Sequence, residues 1–293
     1  MREGAAVRIL VTGAGGMLAQ AVLPALERAG HAVTALSRTQ LDVTRAADVH
    51  RAVASARPDW VCHLAAYTDV DGCESRLEHA LAVNGEGAGH AAAAARDAGA
   101  AVLSVSTDYV FPGDDPAPRR ETDAVGPMSA YGRSKLAGEE AVRDANPRHA
   151  IVRTAWLYGR GGKNFVDTIR ARALAGAPLA VVDDQRGSPT WTEDLALVLV
   201  SLMEKSATGT FHATSEGDCT WHEFAREICD RAGTPVEITR QSSAQLARPA
   251  RRPAYSVLDT SRLRHTLGHG LPHWRDALAR YVAQPVATMR QGR

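Results

Sequence analysis

Short apolar runs alternate with longer amphipathic stretches through the first half of the chain. Val7–Thr12, Ala32–Leu36, Trp60–Leu64, Val102–Val105 and Ala150–Arg153 are rich in Val, Ile and Leu and read as continuously apolar. That is the pattern of parallel strands covered on both faces. Between them, Gly16–Ala29, Ala46–Ala56, Leu77–Ala98 and Tyr131–Ala145 carry helical patterns. Such alternation predicts an α/β fold built on a doubly wound parallel sheet with right-handed crossovers. The alanine run Ala91–Ala95 suits a helix packed close against the sheet.

Beyond residue 155 the rhythm loosens. Helical patterns at Phe165–Ala175, Glu193–Lys205, Trp221–Ala232 and Trp274–Val282 are separated by short strands at Leu179–Val182, Gly209–Ala213 and Val236–Thr239. The division expected is a nucleotide-binding part over 1–155 and a smaller α/β part over 156–285, interleaved with the first, then a frayed tail over 286–293. Substrate is expected in a cleft between the two.

Composition narrows the classes. A formal charge of +1 on 293 residues gives no field that would draw the chain to nucleic acid or acidic lipid. The longest strongly apolar run, Leu195–Met203, is far short of the roughly 20 residues that cross a bilayer. The opening MREGAAV leads into a strand rather than a signal peptide, and the four cysteines show neither CxxC nor zinc-like spacing. A cytoplasmic protein with reduced thiols is the expectation. His212 and His222 lack metal-ligand spacing, Ser215 lacks a nucleophile elbow, and Trp221, Phe224 and Ile228 form a helical core stripe. No metal site is expected.

Several segments carry chemistry. From Arg8 to Ala19 a strand runs into a glycine turn and then a helix, with Gly13, Gly16 and Ala19 in a G-x-x-G-x-x-A pattern and Gly15 as a further small residue. A backbone without Cβ atoms can turn tightly against a pyrophosphate, and the helix N-terminus faces it with unpaired N–H groups. The second strand ends in Ser37 and Arg38 where NAD-binding units usually place an acid. Arg38 can pair with a 2′-phosphate and Ser37 can donate to it, which favours NADPH over NADH; an ordinary surface arginine is the alternative. Asp42 is a candidate for the adenine amino group or, equally, a helix N-cap.

Tyr131 and Lys135 stand four apart on one face of a helix. An ammonium beside a phenol favours the phenolate, lowers its pKa from about 10 and eases proton transfer to a carbonyl oxygen. At the end of the fourth strand, Ser106 or Thr107 is placed to donate to that carbonyl. The three residue types together suit carbonyl reduction.

The segments Ala65–Glu74, Ser106–Phe111, Tyr131–Glu139, Arg153–Gly159 and Asp184–Thr190, in this order, resemble the extended short-chain dehydrogenase/reductases. More narrowly they resemble the dTDP-4-dehydrorhamnose reductase family, from Arg8 to about Tyr281. The resemblance implies a Rossmann-like fold with a smaller C-terminal substrate-binding part. It implies that Gly13, Gly15 and Gly16 cradle the cofactor phosphates beside Met17. Asp42 and Val43 would lie near the adenine, and Ala65 and Ala66 beside ribose and phosphates. Tyr131 and Lys135 match the catalytic pair and are expected to contact the cofactor as well, Lys135 at the nicotinamide ribose, and Thr107 matches the threonine that tunes the pair. Thr107, Asp108 and Trp156 match substrate-contacting positions, and Arg252 lies on a substrate-side loop, where it is expected to meet the diphosphate.

The reaction implied is NADPH-dependent reduction of a dTDP-6-deoxy-4-ketohexose, foremost dTDP-4-dehydro-L-rhamnose to dTDP-L-rhamnose. Three alternatives stand beside it: a 4-ketoreductase for another dTDP-deoxysugar of natural-product biosynthesis, a sugar-nucleotide epimerase or dehydratase, and a non-catalytic NADP-binding regulatory subunit. The epimerase and dehydratase keep a recycled NAD, which Ser37 and Arg38 argue against. Family members hold magnesium at a dimer interface through an acid on the first helix. Ala21 occupies that position here, although Glu193 matches another ligand. A monomer or a homodimer without a bridging metal is therefore expected.

Overall fold

The computed structural model describes residues 6–234 and 236–284. The expected frayed tail lies outside the described residues. In the first half the elements are β1 (Arg8–Thr12), α1 (Met17–Arg28), β2 (Ala32–Leu36), α2 (Ala46–Ala56), β3 (Trp60–His63), α3 (Val70–Ser75), α4 (Leu77–Ala80), a π-helical turn (Leu81–Glu86), α5 (Gly87–Asp97), β4 (Ala101–Thr107), α6 (Ala130–Ala145) and β5 (His149–Thr154). There follow β6 (Leu157–Tyr158), α7 (Phe165–Leu174), β7 (Leu179–Val182), β8 (Arg186–Gly187), β9 (Thr190–Trp191), α8 (Thr192–Glu204) and β10 (Gly209–His212). The chain closes with β11 (Cys219–Thr220), α9 (Trp221–Arg231), β12 (Ile238–Gln241), α10 (Ser243–Leu246), α11 (Ser261–Leu267) and α12 (Trp274–Ala283).

The main sheet has the order β10-β5-β4-β3-β1-β2, every pair parallel. Its central strands are mostly apolar because both faces are covered, whereas the edge strand β2 is partly exposed. Ile9 and Val11 of β1 pack with Val22 and Leu26 of α1 and Leu195 and Leu199 of α8, while Leu10 between them packs with Val49, Val61 and Ala92 on the other face. Each such side chain contributes about 1.5–3 kcal/mol on burial. Polar substitution at either parity would therefore be costly. The sixth strand comes from the second half of the chain, with Phe211 of β10 joining the α1–α8 layer. The rest of that half builds its own core from Tyr158, Ile169, Phe224, Ile228, Trp274 and Leu278.

Local pattern misses the short elements β6, β8, β9, β11, α10 and α11, and differs from the structure at three further places. The helix expected over Leu77–Ala98 is interrupted by the π-helical turn, which carries the buried Asn84. The short α3 has no periodic signal of its own and is started by Asp69, whose side chain accepts from the Gly72 amide at 3.0 Å. The strand expected at Val236–Thr239 lies at Ile238–Gln241, where parallel pairing with β7 sets its register. No described helix is long and apolar enough to cross a membrane. All four cysteines are free and buried.

Candidate active site

Between β1 and β3 the connections leave toward opposite sides of the sheet, which opens a crevice at the C-terminal strand ends. A cavity of about 610 Å³ lies there. Gly13, Gly15 and Gly16 form its floor, Ser37, Arg38, Asp42 and Val43 one wall, and Ala65, Ala66, Tyr67 and His79 another. Gly13 has φ +71°, and a Cβ on it would stand 2.6 Å from the Ala65 nitrogen, so only glycine lets the two loops meet. Gly16 donates to the Gly13 carbonyl at 2.9 Å and caps α1 without a side-chain partner, leaving the first turn of α1, from Met17, open at its N-terminus. The floor fits a dinucleotide phosphate. Arg38 is exposed at the rim.

Asp42 is not a helix cap. Its carboxylate accepts from the Thr44 amide and hydroxyl at 3.0 and 2.8 Å, while α2 is capped at Arg45 without a side-chain bond. The Thr44 bonds hold its carboxyl below the ordinary value, so it faces the cavity as an anion.

The residues expected to transfer the proton sit on α6. Ser129 caps this helix by accepting from the Gly132 amide at 3.1 Å, and Glu74 accepts from the Ala130 amide at 2.8 Å. These bonds fix the first turn, and with it Tyr131. Tyr131 packs in a small apolar cluster with Tyr67, which also lines the cavity, so the two regions adjoin. Asn84 reinforces the junction by bonding both backbone groups of Tyr67 at 2.8 and 3.0 Å and donating to Ser134 of α6 at 2.9 Å. Nothing in the sequence pattern marks Asn84 for this.

Lys135 is buried, and its ammonium donates to the Val105 carbonyl at 2.8 Å. Burial pulls its pKa down to about 8 against the pull of Glu139 in the other direction. His63, bonded to the Thr12 hydroxyl at 2.9 Å, is pushed to about 3 by burial and by Lys135 and so stays neutral. Tyr131 differs from the expectation: its pKa is raised. Burial is the main cause, the Asp108 carboxylate adds to it, and the Thr107 hydroxyl acts the other way. Desolvation of a phenol outweighs a cation one helical turn away.

The structure separates Ser106 from Thr107. Neighbours on a strand face opposite ways. Ser106 donates to buried Glu139 at 2.6 Å, whereas Thr107 faces Tyr131. Thr107 gives its one proton to Asp108 at 2.9 Å, so it must turn that proton to serve a carbonyl. Asp108 is buried with its second carboxylate oxygen unpaired, and burial raises its pKa to about 6, opposed by the nearby Ser256 hydroxyl and by the Thr107 hydroxyl bonded to its other oxygen.

Residues of the second half approach Asp108 and Asp71. Trp156 adopts φ +49° and stacks on Trp221, ring centroids 3.5 Å apart. Trp221 is half-buried and packs against the core that holds Phe224 and Ile228, both buried as expected. His212 and His222 are buried too. A second cavity, about 490 Å³, is lined by Arg248, Arg251, Arg252, Met128 and Gln185. Arg252 forks onto Asp71 at 3.1 and 3.0 Å, and Arg248 joins at 3.1 Å. Tyr109 links the two regions, edge-on to Tyr131 and near enough to Arg252 for that cation to act on its phenol. Asp71 lies in the Ala65–Glu74 segment, yet its partners are far away along the chain. No metal-holding group of three or more His, Cys, Asp or Glu occurs among the described residues, and Ala21 is buried on the α1–α8 face.

Comparison with known proteins gives a consistent result. The model of the RmlD substrate binding domain matches residues 7–286. A Streptomyces griseus dTDP-4-dehydrorhamnose reductase is 49% identical over 278 residues, covering 92% of this chain and 91% of the relative. A Streptomyces antibioticus protein named as a probable dTDP-4,6-dihydroxy-2-methyloxan-3-one 4-ketoreductase is 42% identical, covering 93% of each. A Bacillus anthracis dTDP-4-dehydrorhamnose reductase solved in complex with NADP superposes with a TM-score of 0.92 at 35% identity, over 94% of this chain and 99% of that one.

Proposed function

The chain belongs to the RmlD substrate binding domain family, and on that premise we propose that it reduces the 4-keto group of a dTDP-linked 6-deoxy-4-ketohexose, foremost dTDP-4-dehydro-L-rhamnose. NADPH, when bound on the Gly13–Met17 turn, supplies the hydride. Arg38 and Ser37 would hold its 2′-phosphate, with NADH as a weaker substitute, and Asp42, Val43, Ala65 and Ala66 would frame the adenine half. Tyr131 gives its proton to the carbonyl oxygen, and its raised pKa keeps that proton in place until then. Lys135 holds the nicotinamide ribose, and Thr107 turns its hydroxyl to the carbonyl. Asp108 accepts from a sugar hydroxyl with its unpaired oxygen, and Trp156 backs the hexose. Arg252, held in place by Asp71, meets the diphosphate.

The observation that carries this reading is the meeting of Tyr131, Lys135 and Thr107 beside a glycine-floored cavity, in a chain 49% identical to a dTDP-4-dehydrorhamnose reductase. The likeness to the Streptomyces antibioticus 4-ketoreductase supports a second substrate, another dTDP-deoxysugar of a natural-product route. The proposal includes a 1–155 cofactor part and a 156–285 substrate part. It further includes a cytoplasmic protein, supported by four free buried thiols, that is a monomer or a homodimer without a bridging metal.

The test is reduction of dTDP-4-dehydro-L-rhamnose with NADPH and NADH in parallel, with product configuration read by NMR. Stoichiometric NADPH consumption with a 4-hydroxyl product is the expected result. Isomerised product without net consumption would establish an epimerase instead, and no turnover with intact NADPH binding would point to a regulatory subunit.

A further inference from the structure

Lys135 has a buried counterpart one turn further along α6. The Glu139 side chain is 1% exposed and accepts from donors on three elements. Ser106 of β4 donates at 2.6 Å, Arg153 of β5 at 2.8 and 2.7 Å, and Arg143 of α6 at 2.5 Å. Arg153 is itself buried, stacked over Phe111, with His212 of β10 3.4 Å from its guanidinium. A buried ion pair of this kind is a weak source of stability, since apolar side chains of equal volume would serve as well.

Its position points to another use. The Lys135 ammonium is held by the carbonyl of Val105, and Glu139 by the hydroxyl of the next residue, Ser106. Two adjacent residues of β4 thus grip α6 at points one turn apart. That fixes both the rotation of the helix and its height on the strand, and therefore where Tyr131 and Lys135 stand. The charges around Lys135 are few. His63 faces it from β3 and stays neutral, β4 offers only a carbonyl, and Arg153 of β5 acts on it through Glu139. On α6 itself, Glu139 is the neighbouring anion that favours the ammonium. Although burial pushes the Glu139 carboxyl up, the bonds and charge of Arg153, with Ser106 and Arg143, hold it below the ordinary value, so it remains an anion.

We propose that Glu139 is a positioning residue for the reduction: clamped by Arg153 and Ser106, it seats α6 on β4 and supplies the negative charge that keeps Lys135 an ammonium. This rests on the reductase reading above, and two readouts keep the failures apart. The first needs no turnover. The chain has three lysines, Lys135, Lys163 and Lys205, so isotope-labelled lysine gives three side-chain NMR signals, the Lys135 signal assigned by its loss in Lys135→Arg. In the wild type that signal is expected to titrate near 8; a Lys135 already neutral at pH 7 overturns the proposal without any variant.

The second compares variants. Glu139→Gln alone strands a buried guanidinium, so the pair is removed together as Glu139→Gln with Arg153→Met. In that double variant the Lys135 titration and the high-pH limb of kcat/KM should both move down, because Glu139 lies nearer Lys135 along α6 than Arg153 of β5 and acts on it directly. Glu139→Asp, which keeps the charge, should restore both toward wild type even where kcat stays low. A folded double variant with an unmoved Lys135 titration and an unmoved limb refutes the assignment. A wild-type chain with no reductase activity but a titration that responds to Glu139 would instead refute only the reading on which it rests.

Discussion

Gly13→Ala and Gly15→Ala, two residues apart in one turn, should fail in different ways. Gly13 has φ +71°, a left-handed conformation that costs a residue with a Cβ roughly 1–2 kcal/mol. The added methyl would also stand 2.6 Å from the Ala65 nitrogen, 2.7 Å from its Cα and 2.8 Å from the Leu64 carbonyl carbon. All three are backbone atoms of the segment leaving β3, so no side chain can swing aside. Forced displacement of this kind costs about 1–3 kcal/mol. The two effects sum to about 2–5 kcal/mol, which for a chain of this size lowers Tm by roughly 3–8 °C. Gly15 has neither problem: its φ is not positive, and nothing lies within 4 Å of its added Cβ. Gly15→Ala should unfold within about 2 °C of wild type. Its methyl would nonetheless sit on the floor where phosphate approaches, raising the NADPH Kd about tenfold, or 1.4 kcal/mol. Thermal unfolding without cofactor measures the first effect, and fluorescence titration with NADPH the second. A Gly13→Ala protein as stable as wild type, or equal loss of Tm in both variants, would refute the geometric argument.

Three further outcomes follow from the site. Tyr131→Phe should lower kcat by about 10²–10⁴ while leaving NADPH affinity unchanged; unchanged turnover would remove Tyr131 as the proton donor. Arg38→Ala should reduce the NADPH-over-NADH preference by about 10–100-fold, measured as the ratio of kcat/KM values, since a charge-assisted phosphate contact contributes about 1.5–3 kcal/mol. An unaltered ratio would place 2′-phosphate recognition elsewhere. The Asp71 carboxyl, held at about 2 by Arg252, the Ala250 amide and Arg248 despite partial burial, lies below the about 3.9 of an unfolded chain. Its stabilisation is complete above about pH 4 and fades as pH falls toward 2. Urea unfolding of wild type should therefore lose more stability across that window than Asp71→Asn, and parallel curves would show that the pair contributes nothing.

Sequence-local features were legible where one segment carries the whole signal. Strand, glycine turn and helix follow one another from Arg8 to Arg28, so both the crevice floor and the parallel sheet could be read from hydrophobic runs and three glycines. The Tyr131–Lys135 pair is likewise set by helical spacing within α6. Glu139 carries the same signal four residues further on, and only its partners on β4 and β5 give it meaning.

Tertiary structure decided whatever depends on burial or on distant partners. Period-two alternation says that Ser106 and Thr107 face opposite ways, but only the seating of α6 decides that Thr107 looks toward Tyr131 and Ser106 toward Glu139. The acidity of Tyr131 turned on desolvation and on Asp108, two influences that no four-residue spacing encodes. Arg252 finds Asp71 across 181 residues of chain, and β10 finds β5 from the other half of the molecule. Backbone pattern is written locally because each residue's dihedrals and side-chain direction answer to near neighbours. Charge state and partnership are not, because dielectric surroundings and long-range contacts exist only once the chain has folded.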